Sequence, residues 1–223
     1  MKGLTKETDD LFVPLSKLKC INDYTLIGGS ALSLQINKRK SEDLDFCIWT
    51  KNLKKDKPEV DWPSIEKELG VVGKIASRNI LGFDQVNFII SKVRVTFMTK
   101  QNNLSPVKNP VKIINNVKAA DISAIGAMKI ELILRRSEFR DYYDIYCILK
   151  EGVSLRELVN KASVYSNRLL KIRDALSFLS DGSNYRKDKS FNLLEPFYDI
   201  DNKGIEEFFR STIKKEYGSH TVK

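Results

Sequence analysis

An apolar run at residues 24–27 ends in Gly28-Gly29-Ser30, and after twelve further residues a second apolar run opens with Asp43-Leu44-Asp45. The first run reads as a short buried strand, and residues 31–36 read as a helix opened by the Gly-Gly-Ser turn. A strand that turns directly into a helix leaves the first helical N–H groups without intrahelical partners, and glycine lets a ligand approach them closely. Gly28, Gly29 and Ser30 are therefore candidate phosphate-binding residues, with backbone N–H groups and the Ser30 hydroxyl directed at the anion. Taken alone, such a turn is weak evidence, since many strand–helix turns use it for geometry alone.

The second motif adds chemistry. Residues 44–49 read as a strand, and residues two apart in a strand project from one face. Asp43 and Asp45 on a common face repel each other unless a cation lies between them. Mg²⁺ takes hard oxygen ligands and commonly joins one or two carboxylates to substrate phosphates. The competing reading, two aspartates on an exposed edge, is disfavoured by Leu44, Phe46, Ile48 and Trp49, which mark a packed strand.

Around this centre the chain divides into two styles. Residues 9–20 have helix-like apolar spacing, with Pro14 placed in a first turn. Residues 51–58 form a polar loop, and residues 62–69 a helix with Asp61 as N-cap and Pro63 in its first turn. Residues 71–98 are β-rich, and the runs 86–90 and 93–98 flank Ser91-Lys92, a two-residue connection that predicts a hairpin. Residues 101–110, with Asn, Ser and two prolines, form the candidate linker. The expected domains are thus 1–110 and 111–223. Beyond the linker the pattern is helical: 121–136 capped by Asp121, then 138–149, 154–165, 167–179, a break at Gly182-Ser183, and 204–214. No repeat or low-complexity tract occurs.

The chain has 223 residues and a formal net charge of +9, with its lysines scattered rather than blocked. A basic surface attracts polyanions such as nucleic acid or nucleoside triphosphates, although a Lys-rich surface is also an ordinary way to stay solvated. Cys20, Cys47 and Cys147 are odd in number and show no metal-ligand spacing, which argues against a disulfide framework or a zinc site. His220 is the single histidine and sits near the C-terminus, so catalysis or metal ligation by histidine is excluded. The first residues lack a signal-peptide pattern, and no apolar run approaches the roughly 20 residues of a membrane span. A cytoplasmic protein without a membrane partner is expected.

Gly29-Ser30, a helix, and Asp-x-Asp on the next strand resemble the signature of the DNA polymerase β-like nucleotidyltransferase superfamily. Ile27-Gly28-Gly29-Ser30-Ala31-Leu32 taken with Arg39-Lys40-Ser41-Glu42-Asp43-Leu44-Asp45-Phe46 is similar to the AbiEii/AbiGii toxin family of nucleotidyltransferases. The similarity continues in Val93-Arg94-Val95-Thr96-Phe97, in Pro110-Val111, in Ala119-Ala120-Asp121-Ile122 with Ala127-Met128-Lys129, and in Arg140-Asp141-Tyr142-Tyr143-Asp144-Ile145-Tyr146. It covers about residues 27–149, with weaker similarity in the later helices.

The resemblance implies an α+β protein: a mixed-sheet nucleotidyltransferase fold followed by a C-terminal helical bundle. It implies an enzyme that moves a nucleoside monophosphate from an NTP to an acceptor hydroxyl with Mg²⁺ or Mn²⁺. RNA, tRNA first, is the implied acceptor, and a cognate antitoxin the implied partner in a bacterial toxin–antitoxin or abortive-infection system. Asp43 and Asp45 become metal ligands and catalytic residues. Lys129 becomes a catalytic and nucleotide-binding residue that contacts phosphate; by its own spacing it either snorkels from a core helix or points into a cleft. Asp141 and Asp144 share one helix face and are catalytic candidates, with Arg135, Arg136 or Arg140 as their ordinary ion-pair alternatives. Arg94 is a further basic helper.

One departure stands out. The superfamily's third strand carboxylate has no counterpart, since its place falls at Thr96; Asp84 would compensate only if the hairpin turned it inward. Two other readings therefore stay open. One is a degenerate nucleotide- or RNA-binding module, favoured by Thr96. The other is a small-molecule, aminoglycoside-type nucleotidyltransferase, favoured by Glu131, Glu138, Asp141 and Asp144 as an acidic acceptor pocket.

Overall fold

The computed structural model describes residues 1–50, 59–101, 105–186 and 188–218. The expected polar loop 51–58, residues 102–104 of the expected linker, and His220 lie outside them. The chain separates into two compact units, Met1–Asp121 and Ile122–Lys223.

The first unit opens with α1 (Lys6–Leu15), whose buried Thr8, Leu11, Phe12 and Leu15 recur at helical spacing. It starts earlier than the sequence predicts, so Pro14 falls in the last turn rather than the first. There its missing N–H removes a single bond near the helix end. β1 (Thr25–Ile27), α2 (Gly28–Ile36) and β2 (Asp43–Thr50) follow, then α3 (Trp62–Val72), where the Asp61 side chain accepts from the Ser64 N–H as expected of an N-cap. β3 (Ile75–Ile80), β4 (Gln85–Ile90), β5 (Val93–Gln101), β6 (Val111–Ile114) and β7 (Val117–Ala119) complete a seven-stranded sheet of order β3-β4-β5-β2-β1-β7-β6. β2–β5 and β1–β7 pair in parallel, and the remaining neighbours antiparallel.

The unit boundary lies after Asp121, later than the expected 110, because β6 and β7 pair into this sheet. Apolar content alone did not reveal these strands. They are short, and β6 is largely exposed.

Strand alternation splits the sheet into two faces. Leu44, Phe46, Val86, Phe88, Ile90, Val95 and Phe97 are buried on one face. Phe97 stacks on Phe46 with centroids 5.3 Å apart and meets the edges of Phe88 and Tyr24. Asp43, Asp45, Arg94, Thr96, Asn87 and Gln85 occupy the other face. The β4–β5 hairpin has both Ser91 and Lys92 in the left-handed region, φ +49 and +70, the pattern of a type I′ turn that matches strand twist.

The second unit is helical: α4 (Ile122–Leu132), α5 (Phe139–Lys150), α6 (Leu155–Tyr165), α7 (Ile172–Leu179) and α8 (Asn202–Tyr217), with short 3₁₀ turns at Gly182–Asn184 and Phe191–Leu194. α4 is shorter than expected, because residues 133–137 break into turns that bring Arg136 back onto Asp141. α7 starts later than expected, because Asn167 and Arg168 take left-handed φ values of +54 and +61 and cannot continue a helix. Gly126 permits close packing of α4 on α6, as a Cβ there would stand 2.8 Å from Leu158 Cδ2.

The start of α6 is capped from a distance. The Glu216 carboxylate accepts from Ser154 Oγ at 2.8 Å, Leu155 N at 3.0 Å and Arg156 N at 2.7 Å. Desolvation pushes its pKa up, but these three bonds together outweigh it and hold the group below its ordinary value near 4.5. A carboxylate held low stabilises the fold above its unfolded pKa and loses that effect as pH falls through the folded value. Glu216→Gln should thus lower the melting temperature by a constant amount at neutral pH. The gap to the parent protein should shrink on acidification below pH 4.5, read by circular dichroism melts across pH 3–8. At the hairpin, Ser91→Asn with Lys92→Gly should raise stability by about 1 kcal/mol in urea titration, since it relieves two left-handed non-glycine residues.

Candidate active site

Gly28 follows β1 directly and begins α2 with φ +72, a conformation that suits glycine. A Cβ at this position would stand 3.0 Å from Asp45 Oδ2, so the absent side chain keeps open the space beside that carboxylate. Gly29 serves a second close approach: a Cβ there would meet Arg39 Nη2 at 2.7 Å and Ser41 Oγ at 2.9 Å. Arg39 is only 5% exposed, and its Nη1 donates to the Lys40 carbonyl at 2.8 Å. A guanidinium is thus packed against the first turn of α2, where the helix dipole is already positive.

Arg39 belongs to the family-like motif in the sequence, but no site role was expected of it. Its signal was its position in the short connection between the two motifs. Ser30 is placed differently from the expectation. It is buried, and its hydroxyl donates to the Asp43 backbone carbonyl. Ser30 therefore ties the start of α2 to the start of β2, and the backbone of the turn is what remains for an anion.

Asp43 and Asp45 lie on one face of β2, both partly exposed. Their neighbours come from β5 in parallel register: Asp43 is paired with Arg94 and Asp45 with Thr96. Arg94 Nη2 donates to Asp43 Oδ2 in a salt bridge. Thr96 is buried and is flanked on its other side by Asn87, whose Oδ1 accepts from Gln85 Nε2 at 3.2 Å. The position beside Asp45 is therefore neutral and polar. Asp84 does not fill it. It is exposed where β4 begins, with its backbone carbonyl accepting from Thr99 N.

Among the described residues no group of three or more His, Cys, Asp or Glu could hold a metal ion. The donor set is two carboxylates, with clear space at Gly28. That set fits a magnesium-type cation, which keeps much of its shell for water and phosphate oxygens. It does not fit a cage made by protein alone. Thiol chemistry is disfavoured nearby, since burial pushes the Cys47 thiol up to about 12.

In the second unit Lys129, Asp141 and Asp144 come together. Lys129 Nζ lies 2.6 Å from Asp141 Oδ1 and 2.8 Å from Asp144 Oδ2, with all three buried. Asp141 is further gripped by Arg136, through Nε at 2.9 Å and Nη2 at 3.2 Å, so both its oxygens accept from cations. Arg135 pairs instead with Glu131, and Arg140 with Asp188 at 2.6 Å. Three of the four acids considered for an acceptor pocket are thereby drawn into ion pairs.

The chain matches the model of the nucleotidyl transferase AbiEii toxin family of type IV toxin–antitoxin systems over residues 9–213. An uncharacterized protein of Aquifex aeolicus is 25% identical over 221 residues, covering 96% of this chain and 98% of that protein. Two solved structures share the fold. A protein of H. pylori described as a candidate nucleotidyltransferase superposes with a TM-score of 0.54 at 17% identity, covering 95% of this chain and 97% of that one. MenT4, a nucleotidyltransferase toxin of Mycobacterium tuberculosis, gives 0.56 at 13% identity, covering 94% and 86%. The mixed sheet followed by helices is the architecture these neighbours share, and the chain belongs to the AbiEii nucleotidyltransferase toxin family of type IV toxin–antitoxin systems.

Proposed function

We propose that this enzyme transfers a nucleoside monophosphate from an NTP to a hydroxyl of RNA, with tRNA the first candidate, and that it does so from the β1–α2–β2 unit. The observation that carries the reading is the pairing of Asp43 and Asp45 on one strand face with a side-chain-free Gly28 at Asp45 Oδ2. The first-turn N–H groups of α2 bind the distal phosphates, and Gly29 leaves room for Arg39 to pack against that turn. Arg39 adds positive charge behind that turn. Asp43 and Asp45 hold a divalent cation, Mg²⁺ or Mn²⁺. When bound, such an ion offsets charge on the triphosphate and at the α-phosphorus.

The acceptor oxygen forms a bond to the α-phosphorus as the bond to the bridging β-oxygen breaks. Pyrophosphate leaves, and the hydroxyl proton passes to solvent. Thr96 offers no carboxylate to take that proton at β5. Asp141 is a poor candidate base as well, because both its oxygens are held by cations. Lys129 with Asp141 and Asp144 forms a buried charge cluster of the second unit, in which the two carboxylates orient the ammonium group. A net charge of +9 suits a polyanionic acceptor. Family membership implies an antitoxin partner. No helix among the described residues is long and apolar enough to cross a membrane, in keeping with action in the cytoplasm.

Incubation with each α-labelled NTP, Mg²⁺ or Mn²⁺, and total tRNA tests the reading. Label should enter RNA, and Asp43→Asn or Asp45→Asn should each reduce it by at least about 100-fold, the scale of losing one transition-state electrostatic contact. Triphosphate binding without transfer to RNA would favour instead a binding module, the reading to which Thr96 lends weight. Label in an aminoglycoside but not in RNA would assign a small-molecule acceptor. Separately, Lys129→Met should destabilise the protein by about 3–5 kcal/mol in urea unfolding, because it removes the buried cation shared by Asp141 and Asp144. Its activity is therefore to be read only below its melting temperature.

A further inference from the structure

Arg94 is the one feature of this face that the phosphate and cation assignments leave unexplained. Asp43 and Asp45 stand two residues apart, roughly 6.6 Å along an extended strand. Their mutual repulsion requires a compensating charge before any ligand arrives. Parallel pairing of β2 with β5 delivers it: Arg94 is the register partner of Asp43, and its guanidinium bonds Asp43 Oδ2. The β5 residue in register with Asp45 is the short, uncharged Thr96, so β5 itself supplies its charge at Asp43.

The pair is also lopsided in exposure. Arg94 is 51% exposed in its side chain and Asp43 22%. A half-exposed pair is weakly held, and a long flexible arginine is free to rotate to a new acceptor nearby. Guanidinium geometry suits phosphate oxygens as well as it suits carboxylate. The oxygen that Arg94 occupies is one that a divalent cation would need.

We propose that Arg94 is a place-holding cation: it neutralises Asp43 in the ligand-free enzyme, yields that carboxylate to the divalent ion, and moves onto the triphosphate that enters with it. This rests on the reading that Asp43 and Asp45 form the cation site. It makes Arg94 a nucleotide-binding residue whose effects on metal and on nucleotide have opposite signs. An ordinary structural salt bridge would not divide its effects in that way, since its loss would loosen β2 and weaken both ligands together.

The test measures Mn²⁺ binding by electron paramagnetic resonance of the free ion, on the full-length protein. It is run with Mn²⁺ alone and then with Mn²⁺ plus the α,β-methylene analogues of ATP, GTP, CTP and UTP, which cannot release pyrophosphate. Arg94→Met should bind Mn²⁺ alone about two- to fivefold tighter than the parent, the range expected from removing a competing surface ion pair. The same variant should bind the preferred Mn²⁺–analogue complex several-fold more weakly. Arg94→Lys, which keeps the charge but not the planar fork, should fall between the two. Unchanged or weaker Mn²⁺ binding in Arg94→Met overturns the proposal, and so does unchanged analogue binding. Equal Mn²⁺ binding by the parent and by Asp45→Asn removes the cation site itself, and thereby separates failure of the functional reading from failure of the role given to Arg94.

Discussion

Parallel pairing of β2 with β5 is the constraint on which the candidate site depends. It lies at the centre of the sheet, and strand alternation makes it do two things at once. Leu44, Phe46, Val95 and Phe97 turn to one side and are buried, which fixes the register, since a slip of one residue would put these side chains on the polar face. Asp43, Asp45, Arg94 and Thr96 turn to the other side by the same geometry. The apolar face thus pins the carboxylates in place without touching them. Ser30 adds a second fixed point, because its hydroxyl bonds the Asp43 carbonyl and ties the glycine turn to the strand that carries the acids.

Charge is managed differently in the two units. In the first, the acids are partly exposed and one is met by a half-exposed arginine, so the electrostatics are soft and open to exchange. In the second, Lys129 lies buried between Asp141 and Asp144, with Arg136 closing over Asp141. Such a cluster is costly to break and rigid once made. Glu216 shows a third use of charge, a carboxylate of α8 that satisfies the open N–H groups at the start of α6. Each arrangement follows from the same balance between desolvation and the number of partners a carboxylate finds.

The site was legible in the sequence to the extent that it was local. Gly-Gly-Ser after an apolar run and Asp-x-Asp at a strand start carry their own geometry, because strand period and helix start are set by the chain itself. The Asp61 cap and the Ser91-Lys92 hairpin were readable for the same reason. What escaped was non-local. Arg39 lies against Gly29 only because the connection before β2 folds back on α2, and no spacing announces that. The inward turn of Ser30 depends on where the Asp43 carbonyl comes to rest. β6 and β7 were missed because three or four residues hold too little periodicity, and the strand that joins them to the sheet, β1, lies far off in sequence.

By itself, then, the sequence determined the chemistry on offer: a glycine turn, two carboxylates two apart, and a family signature that spans both units. It also determined that the acid expected on β5 is a threonine. Only the tertiary structure decided which groups meet. It set Arg94 against Asp43 and Thr96 against Asp45, gave Lys129 two carboxylates in place of open solvent, and kept Asp84 away from the acids. The physical reason is that residue type and period act over one turn or one strand, whereas register, burial and ion pairing are settled by contacts between segments that the chain order does not place side by side.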